Sequence, residues 1–103
     1  MDLFDFDACK AISGEITDIL YEDEKIRIER IVSMGQITPH NFVYDQAENE
    51  FVTVVHGEAE LLFPDKGETL RLKEGGNIMI RAGVRHRVSY TSSPCVWLCV
   101  FEK

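Results

Sequence analysis

His86 is the side chain in this sequence best suited to chemistry, because a neutral imidazole can ligate a divalent metal ion and can also give or take a proton near neutral pH. It stands among Arg81, Arg85 and Arg87. Glu50 opens an apolar stretch, where a buried carboxylate needs a partner; an imidazole or a metal ion would supply one. Tyr44, Gln46 and Glu50 share one parity, so an extended segment would turn all three to the same side. Gln46 offers an amide oxygen, a weak metal ligand beside imidazole. Tyr44, a phenol of ordinary pKa near ~10, is a neutral hydrogen-bonding group. If His86 faces inward, alternation sends Arg85 and Arg87 outward to surface ion pairs or a subunit contact. Arg81 beside a pocket could fork a carboxylate or phosphate, although a solvated arginine is the plainer expectation.

The spacing of these residues with the glycines carries a further message. Glu50 and Gly57 are separated by six residues, and Gly75, Gly83 and His86 follow one another at intervals of eight and three. This resembles the paired motifs of the cupins, H-x-H-x(3,4)-E-x(6)-G and G-x(5)-P-x-G-x(2)-H-x(3)-N. The resemblance covers about half the chain, from Tyr44 to His86, and suggests a compact single-domain cupin. It implies a double-stranded β-helix, a jelly-roll barrel. In metal-binding cupins two histidines and a glutamate of the first motif meet the histidine of the second. Those places fall here on Tyr44, Gln46, Glu50 and His86, so two of the four ligand types are replaced. Arg81 stands in the proline place of the second motif and Tyr90 in its asparagine place. The resemblance therefore implies a pocket formed by Tyr44, Gln46, Glu50, Arg81 and His86. A divalent metal (zinc, iron, nickel or manganese) would be weakly held by His86 and Glu50 with Gln46. His40, ten residues before Glu50, reaches such a site only if its loop folds back; an exposed loop histidine is the simpler expectation. His56 is read as a turn residue.

The elements that must position these groups are short and β-like. Ile16–Tyr21 and Ile26–Val32 flank a polar turn and predict a hairpin, the second run alternating as a strand with one wet face does. Pro39 and His40-Asn41 mark a loop. Phe51–Val55, Ala59–Phe63, Thr69–Leu72, Asn77–Ile80, Arg87–Tyr90 and Cys95–Phe101 follow, punctuated by Gly57, Pro64-Asp65-Lys66-Gly67, Glu74-Gly75-Gly76 and Thr91-Ser92-Ser93-Pro94. Many short strands without a long helical pattern argue for an all-β sandwich or barrel. Residues 1–14 are expected to form a short helix or an irregular arm that packs Leu3, Phe4 and Phe6 on a barrel of residues 15–103.

Phe51–Val55 and Cys95–Phe101 are apolar on both parities, so both of their faces should be covered. The arm could cover the outer face. A homodimer with Trp97 or Phe51 near its interface is the sharper expectation, since so small a barrel gains much burial by pairing.

One domain suits 103 residues of which 45% are hydrophobic. A formal charge of −7 repels phosphate backbones, so nucleic acid is not an expected partner. The start, Met1-Asp2-Leu3-Phe4-Asp5, lacks the basic and apolar regions of a signal peptide, and no run approaches the ~20 apolar residues of a membrane span. A cytoplasmic protein is expected. Cys9, Cys95 and Cys99 suggest reduced thiols, the latter two lying on one apolar face with Trp97 and Phe101. No hydrolase triad or phosphate-cradling glycine loop can be assembled, so no nucleotide or organic cofactor is expected. A small polar or anionic ligand bound in the barrel is the leading function, with oxygenation, isomerisation or lyase chemistry open if it is an enzyme. A non-catalytic binding or sensing module, or a structural dimeric β domain, is the alternative.

Overall fold

The computed structural model describes residues 2–5 and 14–103. The expected short helix, Phe6 and Cys9 lie outside the described residues. Among those residues there is no helix; eight strands succeed one another as β1 (Ile16–Glu22), β2 (Ile26–Ser33), β3 (Asn49–His56), β4 (Ala59–Phe63), β5 (Glu68–Leu72), β6 (Asn77–Ile80), β7 (Arg87–Thr91) and β8 (Cys95–Glu102). They form a five-stranded sheet in the order β1-β2-β8-β3-β6 and a three-stranded sheet in the order β5-β4-β7. All the pairings are antiparallel. This is the jelly-roll barrel of the cupin kind that the motifs implied.

Local chemistry explains the turns. Asp23 Oδ1 accepts hydrogen bonds from the Lys25 and Ile26 amides at 2.8 and 2.9 Å, closing the β1–β2 hairpin with an Asx turn. Gly57 turns β3 into β4 with φ of +85°, and a Cβ there would lie 2.6 Å from the Pro94 carbonyl oxygen as well as against Ser92 Oγ. Only glycine suits both the left-handed backbone and this close approach.

The registers sort side chains into inner and outer rows. On the inner face Arg27, Phe101, Glu50 and Ile80 pair across β2, β8, β3 and β6, and Glu29, Cys99, Val52 and Ile78 make the next row. Val52, Val54, Leu61, Ile80, Trp97 and Phe101 belong to the buried core between the sheets. The charged parity of β2 thus faces the barrel, whereas a wet face would ordinarily meet bulk water.

On the outer face Tyr21, Ile28, Val100, Phe51 and Met79 align in a single apolar row across the five strands. Tyr21 and Met79 at its ends are exposed. Trp97 is not part of it. Its indole points into the barrel, 5% exposed, and donates to Ser33 Oγ at 3.1 Å; the β8 parity that buries Cys99 and Phe101 also turns Trp97 inward. Residues 2–5 are held elsewhere on the outer face. Buried Arg30 donates to the carbonyls of Asp2, Leu3 and Asp5, and also grips Asp18.

Candidate functional site

His86 and Tyr44 meet through an isolated antiparallel bridge between the loop before β3 and the turn before β7. Their backbones exchange hydrogen bonds at 2.8 and 3.0 Å. The phenol ring stacks on the imidazole, with centroids 5.4 Å apart and planes at 20°. Gly83 lets the turn before His86 reverse with φ of +80°, and its amide donates to the Gln46 carbonyl at 2.9 Å. The two segments singled out by sequence are therefore stitched together at the barrel end.

Glu50 reaches the same place from β3. Its Oε1 accepts a 2.7 Å hydrogen bond from Gln46 Nε2 and faces His86 Nε2 at 3.8 Å. Both Glu50 and His86 are buried. His86 Nδ1 lies 3.0 Å from the Val84 carbonyl; a carbonyl can only accept, so Nδ1 carries a hydrogen, and Nε2 is the lone-pair nitrogen of the corresponding neutral tautomer. Burial pushes the Glu50 carboxyl above its ordinary range, against the opposing pull of Gln46, His86 and the Cys99 thiol. Burial likewise raises Cys99 well above the usual thiol value, with Glu50 adding to the effect. Burial and the charges of Glu15 and Glu50 raise Tyr44, which keeps its phenol neutral.

These groups line a cavity of about 270 Å³ between the sheets, with Val52, Leu61, Ile80 and Trp97 among its apolar walls. Arg27, Glu29, Glu15 and Cys99 also line it, and none of these was picked out from sequence as a site residue. Arg27 is forked onto Glu48 by two 3.0 Å hydrogen bonds, bonds Glu29, and lies 4.3 Å over the Phe101 ring. The parity of β2 and β8 was readable; which parity faced a cavity required the register.

Two expected site residues lie elsewhere. Arg81 is exposed and does not line the cavity, because β6 ends at Ile80 and the chain turns away immediately after the last inward position. His40 is exposed in its loop and contributes its backbone carbonyl to Arg87 rather than its ring to the cavity. Arg85 pairs with Asp65 at the surface.

A metal ion is not fitted by the residues present. Among the described residues no three His, Cys, Asp or Glu side chains gather as a ligand set. Gln46 turns its amide nitrogen, a donor, toward Glu50, and Tyr44 lays its ring face on the imidazole. Glu50 and His86 alone retain ligand character, short of the three or four donors that hold a transition metal firmly.

The cupin-domain family profile matches residues 31–101. The chain is a cupin. A comparison with curated proteins found no match. Among solved structures, a protein of Ralstonia eutropha JMP134 bearing the name "putative mannose-6-phosphate isomerase" superposes with a TM-score of 0.92 at 34% identity, covering 100% of this chain and 96% of its own. A cupin superfamily protein of Desulfitobacterium hafniense DCB-2 gives a TM-score of 0.75 at 13% identity, covering 86% of this cupin and 77% of its own chain. The polyketide cyclase RemF of Streptomyces resistomycificus gives 0.71 at 20% identity, covering 86% and 65%. The latter two likenesses concern the barrel fold alone.

Proposed function

We propose that this cupin binds a small polar molecule inside its barrel, at the Tyr44, Gln46, Glu50 and His86 group, without depending on a tightly held metal ion. The observation that carries this reading is the buried Glu50–His86 pair, whose facing atoms stand 3.8 Å apart in a cavity with apolar walls of Val52, Leu61, Ile80 and Trp97. That combination of apolar walls and a few convergent polar groups is the usual make-up of a ligand site, here at the small end of the size range. The anionic part of the sequence expectation loses its support. Arg81 lies outside, and among the described residues the cationic lysine or arginine lining the cavity is Arg27, engaged by Glu48 and Glu29. A phosphosugar, which the name of the Ralstonia relative would suggest, would have to displace those carboxylates.

The pair is also placed to hold or move a proton on a bound substrate, so isomerase or lyase chemistry is compatible with this geometry. A sensing module would use the same groups for recognition only. Buried free Cys95 and Cys99 support a reducing compartment, the cytoplasm. We also infer a homodimer, in which a second copy covers the outer row of Tyr21, Ile28, Val100, Phe51 and Met79; a row continuous across all five strands presents a self-complementary apolar band.

A fragment screen by NMR tests the binding reading. The single tryptophan, Trp97, lines the cavity, and its indole resonance should move with polar fragments in the native protein and not in His86→Ala. Fragments that shift only surface resonances would overturn the reading.

A further inference from the structure

The polar end of the cavity is rich in acceptors, and two of its donors are already engaged. Val84 takes the Nδ1 hydrogen of His86, which leaves the Nε2 lone pair directed toward Glu50. Gln46 spends an amide hydrogen on Glu50 Oε1. Two acceptor atoms, Oε1 and Nε2, therefore face one another across 3.8 Å, too far for a hydrogen bond between them and near enough for one donor atom to reach both at about 2.8 Å.

The charge around this gap has the same sense. Glu15, Glu29 and Glu50 line the cavity together with Arg27, and Arg27 is already shared between Glu29 and Glu48. A hydroxyl has one hydrogen and can satisfy one of the two acceptors; a carboxylate or phosphate has none and adds repulsion. An ammonium group has three hydrogens and the complementary charge. The stacked Tyr44 ring beside His86 and the apolar walls suit the uncharged remainder of such a molecule.

We propose that the cavity is specific for a small organic cation, a primary amine whose ammonium group lies between Glu50 Oε1 and His86 Nε2. This rests on the reading that a small molecule occupies the barrel, and it names the chemical class.

The test uses the full chain after chelator treatment and three probes of similar size: benzylamine, benzyl alcohol and benzoate. NMR follows the Trp97 indole and the His86 ring. Benzylamine should bind about tenfold tighter than benzyl alcohol, with benzoate weakest. Glu50→Gln should bring benzylamine to the level of the alcohol, and Glu29→Gln, farther from the gap, should narrow the difference less. Asp65→Asn at the surface should change nothing. Equal or tighter binding of the alcohol or benzoate at the same resonances would overturn the cation inference while leaving the cavity reading standing. Zn²⁺ that outcompetes benzylamine, and loses its affinity in Glu50→Gln, would overturn it in favour of a metal. If none of the probes moves either resonance at about 10 mM, both readings fall.

Discussion

Tyr44 and His86 are joined twice, by a pair of backbone hydrogen bonds at 2.8 and 3.0 Å and by stacked rings 5.4 Å apart. The residue in a first-motif histidine place thus packs flat against the histidine of the second motif. It occupies the space beside the imidazole without offering a nitrogen donor, while Gln46 directs an amide hydrogen to Glu50. The cupin barrel is intact, and the motif resemblance implies that two of its four ligand places are altered.

Restoring the missing donors should restore metal affinity. Gln46→His is expected to raise the affinity for zinc, nickel or iron(II), and adding Tyr44→His to raise it further, by about tenfold or more at each step. The same double change in His86→Ala should gain much less. Isothermal titration of metal-stripped variants measures this; a gain that survives loss of His86 would show that the first-motif positions have been assigned wrongly.

Glu50 should make stability depend on pH in a defined direction. Its carboxyl is raised from an ordinary value of 4.5, so between that value and its folded value the folded chain binds more protons than the unfolded chain. Stability from this group is present at low pH and lost as pH rises through the folded pKa. Glu50→Gln removes the buried charge and keeps an acceptor for Gln46, so it should raise the melting temperature by a few degrees at pH 8, about 4–8 °C for each kcal/mol gained. The advantage should shrink toward pH 4. Thermal unfolding across that range checks it, and a variant advantage that grows on acidification would contradict the assignment.

Two glycines that both have positive φ should respond differently to alanine. At Gly57 a Cβ would press on the Pro94 carbonyl and Ser92 Oγ, whereas at Gly67, with φ of +63°, nothing lies within 4 Å. Gly67→Ala should cost about 1 kcal/mol from backbone strain alone. Gly57→Ala should cost about 3–4 kcal/mol, because the β3–β4 turn and the segment before β8 cannot both keep their places. Urea unfolding of the two variants gives the comparison directly.

The outer apolar row should govern assembly. Phe51 lies at its middle, paired with Val100 and Met79, so Phe51→Lys should shift a dimer to monomer while leaving the fold intact. Sedimentation of the native chain at about tens of micromolar should show the dimer. A native monomer at that concentration, or a Phe51→Lys dimer of unchanged strength, would remove the outer row from the interface.

The strands and their turns were legible in the sequence because each is a local matter. Alternation, glycine at left-handed positions and the polar residues of turns report the backbone path within a few residues, and β4, β6 and β8 begin where their sequence patterns begin. The Glu50 to Gly57 and Gly75 to His86 spacings likewise indicated which segments meet at the barrel end. What β2 presents to the cavity was not legible. Ile26 and Ile28 share one parity and Ile31 lies on the other, so hydrophobicity alone does not choose the inner face. The pairing of Arg27 with Phe101 and of Ile28 with Val100 makes that choice, sending two charged residues inward and an isoleucine to the outer row. Arg81 illustrates the converse: its place in the motif put it near the pocket, but one residue beyond the end of β6 was enough for the turn to carry it into solvent. Sequence spacing determined which residues could come together; strand register, a long-range property, decided which side chains shared the cavity and what charge it holds.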